Sequence, residues 1–349
     1  MENPFSISFG KAPTQTVNRE GELAPIMNAF DSYNPTSNAY IISGPRGSGK
    51  TVAFSYLLEQ YHNKQDWVVA RLNMAGNMLE QLAGRLYEGG KIKHLFLKAE
   101  FNFSFQGIGL SIAGSNPVPS ILGFLQHVFE YLKHKKIHVI IGIDDVAKNK
   151  EMVEFIRAFQ GFLMDGFDVR LLMTGLYENV STLSEEPTLT FLIRTPKVIL
   201  SPLPLLSIAK SYQKIFAIDE KEASSLAMAT KGYAYAYQLL GNILFSQNKT
   251  KIDDEVLSSF DEALQSGAYN IIWRELSERE REILTLLSEN KVHNSEIQET
   301  LSISKGNLAI YKKRLSEKGL INTTLRGVSS IALPRFDVFI LDMKRYFGE

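Results

Sequence analysis

The sequence predicts an α/β protein built around a parallel sheet, followed by a small helical domain and a terminal domain of three helices and a two-stranded hairpin. Three observations carry that expectation. Five short apolar runs alternate with helix-like stretches, strand signals vanish after Pro202 and Pro204, and a new set of amphipathic segments begins near Trp273. Strands that alternate with helices pair in parallel, because each helical crossover covers one face of the sheet.

The first run, Ala39-Tyr40-Ile41-Ile42-Ser43, ends in Gly44-Pro45-Arg46-Gly47-Ser48-Gly49-Lys50-Thr51, and Val52 to Leu58 continues at helical spacing. Trp67–Leu72, His138–Ile143, Val169–Thr174 and Lys197–Leu200 read as four further buried strands. Met78–Tyr87, Val118–His134 and Glu151–Leu163 are the helices between them. Ala99–Ala113 breaks the rhythm. It alternates apolar with small or polar residues and predicts a hairpin turning near Gln106-Gly107, either an edge ribbon or a partner surface.

Beyond Pro204 the chain reads as helices to about Ser266. In the last segment Ser277 is an N-cap ahead of Ile283, Leu284, Leu286 and Leu287, a short helix covers Asn294–Leu301, and Ser304-Lys305-Gly306 opens a third helix that Gly319 ends. Leu320–Leu333 reads as two short strands around Arg326-Gly327. That layout is a winged helix-turn-helix. The expected boundaries are 1–203 for the sheet domain with its inserted hairpin, 204–268 for the helical domain and 269–349 for the winged helix.

Composition excludes several classes. The chain has 349 residues, 38 Lys+Arg against 38 Asp+Glu, and no Cys, so a uniformly basic coat, a disulfide scaffold, a thiolate metal site and a cysteine nucleophile are all excluded. The six His show no metal-binding spacing, and His94, His127 and His134 read as surface or packing residues. No Gly-x-Ser-x-Gly is present. No apolar run reaches the ~20 residues a membrane span needs. Met1-Glu2-Asn3-Pro4-Phe5 lacks a basic stretch leading into an apolar one, so a cytoplasmic protein is expected.

Gly44-x-x-x-x-Gly49-Lys50-Thr51 is a complete phosphate-loop motif between a strand and a helix. Glycines let such a loop turn its N–H groups inward, and the helix N-terminus adds positive potential for phosphate. Gly44, Pro45, Arg46, Gly47, Ser48, Gly49, Lys50, Thr51 and Val52 are therefore the candidate nucleotide cradle. Lys50 is expected on the β and γ phosphates of ATP and the Thr51 hydroxyl on Mg²⁺.

The strand His138–Ile143 delivers Asp144 and Asp145 at its end. Asp144 is the candidate Mg²⁺ ligand and Asp145 the group that orients or deprotonates the attacking water; a plain strand-end turn is the alternative. Thr174 ends the next strand and could hold that water or simply bond to backbone. Arg194 precedes the fifth strand and is either a transition-state cation or a solvated surface residue.

On these residues the chain resembles the AAA+/STAND superfamily of P-loop ATPases, near the archaeal-type and origin-recognition-like branch with a C-terminal winged helix. The resemblance rests on Gly44–Thr51, Asp144-Asp145, Thr174 in the sensor-1 position, Arg194, and Leu203-Pro204-Leu205 leading into the lid. Asn3-Pro4-Phe5 to Phe9-Gly10 and Asn18-Arg19-Glu20-Gly21-Glu22 are similar to the family's N-terminal stretch and Arg-Glu box, which implies Arg19 beside the adenine. Lys231-Gly232-Tyr233-Ala234-Tyr235-Ala236-Tyr237 occupies the lid position where many members place a sensor-2 arginine, and it contains none. That departure implies a slow switch rather than a fast motor. The three tyrosines read as packing residues, with adenine or ribose contact as the lesser reading.

Between Ser304 and Arg335, the cations Lys305, Lys312, Lys313, Arg314, Lys318, Arg326 and Arg335 face Glu317 alone, a local surplus of six positive charges. Helix periodicity puts Lys305, Lys312 and Lys313 away from Leu308, Tyr311 and Leu315. With Arg326 at the wing tip they are candidates for duplex phosphates, and Ser304, Asn307 and Tyr311 for base edges or phosphates. Protein docking is the competing use of such a helix.

The leading expectation is an ATP-binding, Mg²⁺-dependent ATPase whose nucleotide state moves a winged helix on double-stranded DNA. The alternative is a STAND-like switch with negligible turnover that grips proteins, or further copies of itself, through the winged helix and the hairpin.

Overall fold

The computed structural model describes residues 2–6, 15–17, 19–88, 101–103, 110–112 and 120–347. The chain divides into two compact units. One comprises Arg19–Ser43 and Lys50–Ile199; the other comprises Met1–Asn18, Gly44–Gly49 and Leu200–Glu349.

The first unit runs α1 (Glu20–Phe30), β1 (Ala39–Ser43), α2 (Lys50–His62), β2 (Trp67–Leu72), α3 (Met78–Glu88), β3 (Phe101–Phe103), β4 (Leu110–Ile112), α4 (Ile121–His134), β5 (His138–Ile143), α5 (Lys150–Met164), β6 (Val169–Gly175), α6 (Tyr177–Ser184), α7 (Thr190–Arg194) and β7 (Lys197–Ile199). Five strands form one parallel sheet in the order β2-β5-β6-β1-β7. The apolar runs β1 and β6 lie inside and are buried along their whole length, whereas β7, with exposed Lys197 and Ile199, closes an edge. Alternate residues serve opposite faces. Val139, Ile141 and Ile143 join the core made with α3, α4 and α5. Gly142 faces α2, where a Cβ would come 2.6 Å from Leu58 Cδ1 and 2.8 Å from Phe54 Cζ. Glycine there lets α2 seat directly on β5. Ser120 and Asn149 cap α4 and α5 by accepting the Gly123 and Met152 amide hydrogens.

At the N-terminal edge of the sheet a polar cluster replaces apolar packing. His138 Nδ1 lies 2.6 Å from Asp168 Oδ2, and the buried Arg170 guanidinium lies 2.6 Å from Asp168 Oδ1. The imidazole also stacks on Trp67 at 4.8 Å. Its hydrogen bond to Asp168 holds the His138 pKa above the ordinary value, more than offsetting burial.

The inserted ribbon is present as β3 paired antiparallel with β4, Phe101 opposite Ile112. Its turn at Gln106-Gly107, together with Phe9-Gly10, Asn18 and His94, lies outside the described residues.

The second unit runs α8 (Leu205–Phe216), α9 (Glu220–Ala229), α10 (Ala234–Ser246), α11 (Asp254–Leu264), a π turn (Gln265–Tyr269), α12 (Asn270–Arg274), α13 (Glu278–Ser288), α14 (Asn294–Leu301), α15 (Lys305–Glu317), β8 (Ile321–Asn322), β9 (Ser330–Ile331) and α16 (Phe336–Phe347). One apolar core joins its helices from Leu203 to Ile340. The N-terminal segment is part of it. Phe5 is buried against Tyr212, Phe216 and Tyr237, and a Cβ on Gly241 would fall 2.4 Å from the Phe5 ring. Ser277 and Glu280 form a capping box at the start of α13. β8 and β9 pair antiparallel over two residues each, and His293 bridges to Val328 beside them. The terminal helix α16, and α1, α6 and α7, carried no sequence expectation.

Candidate nucleotide-binding site

In the sheet unit, strand register gathers the predicted residues at one edge. Ser43 is level with Gly175 across β1 and β6, and Ile143 is level with Met173 across β5 and β6, so Asp144 and Thr174 finish side by side. Thr174 is fully buried and its hydroxyl links the carboxylate residues: it donates to Asp144 Oδ1 and accepts the Asp145 N–H at 2.9 Å. The Asp145 N–H also reaches Asp144 Oδ1 at 3.1 Å, and the Val146 N–H donates to the Thr174 carbonyl at 2.7 Å. Asp145 has φ +54°, a left-handed conformation that aspartate tolerates better than bulkier residues, and its side chain is exposed. The hydroxyl expected to hold a water is thus engaged by Asp144 and Asp145 themselves. The backbone bond is the one the alternative reading names, and the bond to Asp144 is named by neither.

Lys50 and Thr51 are the first two residues of α2, and Lys50 is 9% exposed. Val52 follows in the same turn. Arg194 ends α7 with its side chain exposed. Arg19 precedes α1 and is ion-paired to Glu22 at 2.6 Å.

In the other unit the loop 44–49 shows the backbone a phosphate cradle needs. Gly47 (φ +73°) and Gly49 (φ +90°) take positive φ on either side of Ser48, and such alternation bends a chain so that successive amides face one concave side. The Ser48 N–H closes a turn onto the Pro45 carbonyl at 3.2 Å. Two residues read from sequence as packing bond to the loop's carbonyls. The Tyr233 hydroxyl donates to the Arg46 carbonyl at 3.1 Å and the Tyr235 N–H donates to the Gly47 carbonyl at 3.0 Å. Arg46 pairs with Glu275 at 2.8 Å, and the Pro45 ring occupies the space a Cβ on Gly319 would need. No local pattern announces these partners, because Tyr233 is 187 residues from Arg46.

The basic segment is less free than its composition implies. Arg335 is held by Asp261 and Lys318 by Glu280, the latter at 2.9 Å. Lys312, expected to point outward, is half-buried and donates to Asn294 Oδ1 at 2.7 Å; burial pushes its pKa down. Helix periodicity puts residue 312 about 40° from Leu308 and about 60° from Leu315, both buried, so the lysine stands at the edge of the packed face, against the start of α14. Lys305, Asn307, Lys313, Arg314 and Arg326 remain exposed, with Lys313 only loosely paired to Glu317 at 3.7 Å. Leu308 and Leu315 are buried as the periodicity requires.

Among the described residues no three His, Asp or Glu side chains gather as a metal site, and no helix is long and apolar enough to cross a membrane.

The fold is shared with known ATPases. A Walker-type ATPase of Pyrococcus abyssi matches 97% of this chain and 99% of its own at 14% identity and TM-score 0.65. The Aeropyrum pernix ORC2 protein, solved as ADPNP–ADP complexes, matches 98% and 97% at 12% identity and TM-score 0.58. Cdc6p of Pyrobaculum aerophilum matches 97% and 96% at 16% identity and TM-score 0.51. A family model described as a domain of unknown function (DUF8462) matches residues 266–340. No curated protein matches by sequence. The chain has the AAA+ P-loop NTPase fold, of the kind seen in archaeal Cdc6 and ORC proteins.

Proposed function

We propose that the protein binds and slowly hydrolyses ATP with Mg²⁺, and that nucleotide state controls a winged helix that contacts double-stranded DNA. The observation that carries the nucleotide reading is the loop backbone: positive φ at Gly47 and Gly49 within Gly44–Thr51, followed at once by helix α2. The nucleotide found in the ORC2 neighbour supports the same reading. Amides of the loop and the Lys50 ammonium bind the β and γ phosphates. Thr51 and Asp144 supply the hard oxygen donors that suit Mg²⁺, which when bound neutralises charge on the phosphates. Thr174 fixes the Asp144 carboxylate through its hydroxyl and leaves the exposed Asp145 carboxylate to orient a water. Arg194 and Arg19 are assigned to the transferring phosphate and the adenine on the family resemblance alone.

Segment 278–331, with α13, α14, α15 and the β8–β9 ribbon, has the element order of a winged helix-turn-helix. Exposed Lys305, Lys313, Arg314 and Arg326 support phosphate contact, and Asn307 stands on the same helix for base edges. A second reading has an observation of its own. Ile310 on α15 and Leu325 before the wing tip are 53% and 68% exposed, and apolar groups at such positions also suit a protein partner.

ATP turnover with and without duplex DNA, over a salt series, tests the proposal. Turnover that depends on Lys50 and duplex affinity that falls with salt is the expected result. Nucleotide retained without turnover, with no salt-dependent duplex binding, favours the protein-docking reading.

A further inference from the structure

A loop that turns its amide hydrogens toward a polyphosphate must turn carbonyl oxygens the other way, and each of those needs a donor. Two of them draw donors from one tripeptide. The Tyr233 hydroxyl serves the Arg46 carbonyl at 3.1 Å, and the Tyr235 N–H, in the first turn of α10, serves the Gly47 carbonyl at 3.0 Å. A first-turn helix amide has no partner within its own helix, so it is free to serve a neighbour.

We propose that Tyr233 is a positioning residue for polyphosphate binding, holding with the Tyr235 amide the outward carbonyls of the loop so that its N–H groups stay aimed at the ligand. The role rests on the nucleotide reading above. It differs from that of a lid arginine, which would touch phosphate by charge: Tyr233 acts from behind the loop, through backbone.

Three features fit the role. The ring lies so close to Gly47 that a Cβ there would be 2.2 Å from the Tyr233 hydroxyl oxygen, so glycine is required by contact as well as by its φ. Tyr233 is itself anchored: its N–H donates to the Thr230 carbonyl at 2.9 Å, the Gly232 N–H to the Thr230 hydroxyl at 3.2 Å, and the Gly232 carbonyl accepts the Leu203 N–H at 2.7 Å. Burial also pushes the Tyr233 phenol well above its ordinary value, so the hydroxyl keeps its hydrogen at any working pH.

The test compares wild type, Tyr233→Phe and Tyr233→Ala for MgADP affinity by calorimetry and for thermal midpoint without nucleotide. Phe keeps the ring and removes only the donor. The expected result is an affinity loss on the order of three- to tenfold for Tyr233→Phe with a nucleotide-free midpoint that falls far less than for Tyr233→Ala, which loses the packing of the ring as well as the donor. Equal MgADP affinity in wild type and Tyr233→Phe overturns the role and leaves the nucleotide reading standing; wild type that binds no MgADP overturns both. Amide hydrogen exchange of the wild-type protein gives a readout independent of any variant. The Tyr235 amide is expected to exchange several-fold more slowly with MgADP, and an unchanged rate overturns the proposal.

Discussion

The Thr174 hydroxyl accepts the Asp145 amide hydrogen at 2.9 Å, and through that bond the end of β6 fixes the turn that follows β5. The same hydroxyl donates to Asp144, so one buried side chain governs both carboxylate residues. Thr174→Val keeps the shape and removes the hydroxyl. It takes the hydroxyl donor from Asp144 and leaves the Asp145 N–H only its 3.1 Å bond to that carboxylate, so it is expected to cost about 1 kcal/mol in urea denaturation, with a fall in ATP turnover. Thr174→Ser restores both; turnover unmoved by Val removes Thr174 from the site.

Lys50→Ala is expected to abolish ATP binding while far-ultraviolet circular dichroism and the urea midpoint stay near wild type. Lys50 sits in the first turn of α2, where alanine is a good helix former. Binding retained in this variant would break the assignment of the loop.

Stability is expected to depend on pH through the His138 cluster. The folded pKa of His138 lies above its ordinary 6.5, so its contribution is complete below about pH 6.5 and lost as pH rises through the folded value. Burial raises Asp168, but His138 and Arg170 together hold its carboxyl below the ordinary 3.8, so that contribution is present above about pH 3.8 and lost as pH falls through the folded value. The urea midpoint should therefore be higher at about pH 5.5 than at about pH 8.5. His138→Gln should flatten the difference, and a profile identical to wild type would exclude the cluster as its source.

Gly241→Ala should expel Phe5 from its site among Tyr212, Phe216 and Tyr237, since the added Cβ would overlap the ring. Overpacking of this kind costs about 1–3 kcal/mol. The N-terminal segment should then be cleaved sooner in limited proteolysis, and combining Gly241→Ala with Phe5→Ala should give less than the sum of the two single losses.

Charge reversal at Lys305, Lys313 and Arg326 should weaken duplex binding and lower the salt slope by roughly one per phosphate contact removed, with MgATP affinity unchanged. Lys312→Glu is different in kind. It breaks the bond to Asn294 and buries a carboxylate, so a fall in thermal midpoint should accompany any loss of binding.

What the sequence made legible is what neighbours in the chain decide. The five strands, Lys50 and Thr51 opening a helix, and Asp144 at a strand end all follow from apolar runs and a glycine-rich loop whose signals are local. The rest depends on residues far apart. Lys318 and Arg335 look like part of a basic face until Glu280 and Asp261 are found beside them. Asp145 takes a left-handed conformation that no spacing rule foretells, and Tyr233 reads as one more core tyrosine until its hydroxyl is seen on Arg46. The last helix, Phe336–Phe347, opens just past a turn at Pro334-Arg335, where Arg335 takes a positive φ that no spacing rule foretells.

Residues 254–274 form one unbroken rod whose coil widens at 265–269, where a Cβ on Gly267 would fall 2.0 Å from the Tyr235 hydroxyl oxygen. Such a turn carries five residues through about the rotation that four take in an α-helix, so it holds one extra residue without changing phase. Removing one residue from 265–269 would close it to ordinary α pitch and leave Trp273 and Glu275 near their present azimuth, whereas a deletion within Asp254–Leu264 would swing them by about 100°. The widened coil is thus the one place in the rod where the chain can change length by a residue and keep its far end facing the same way.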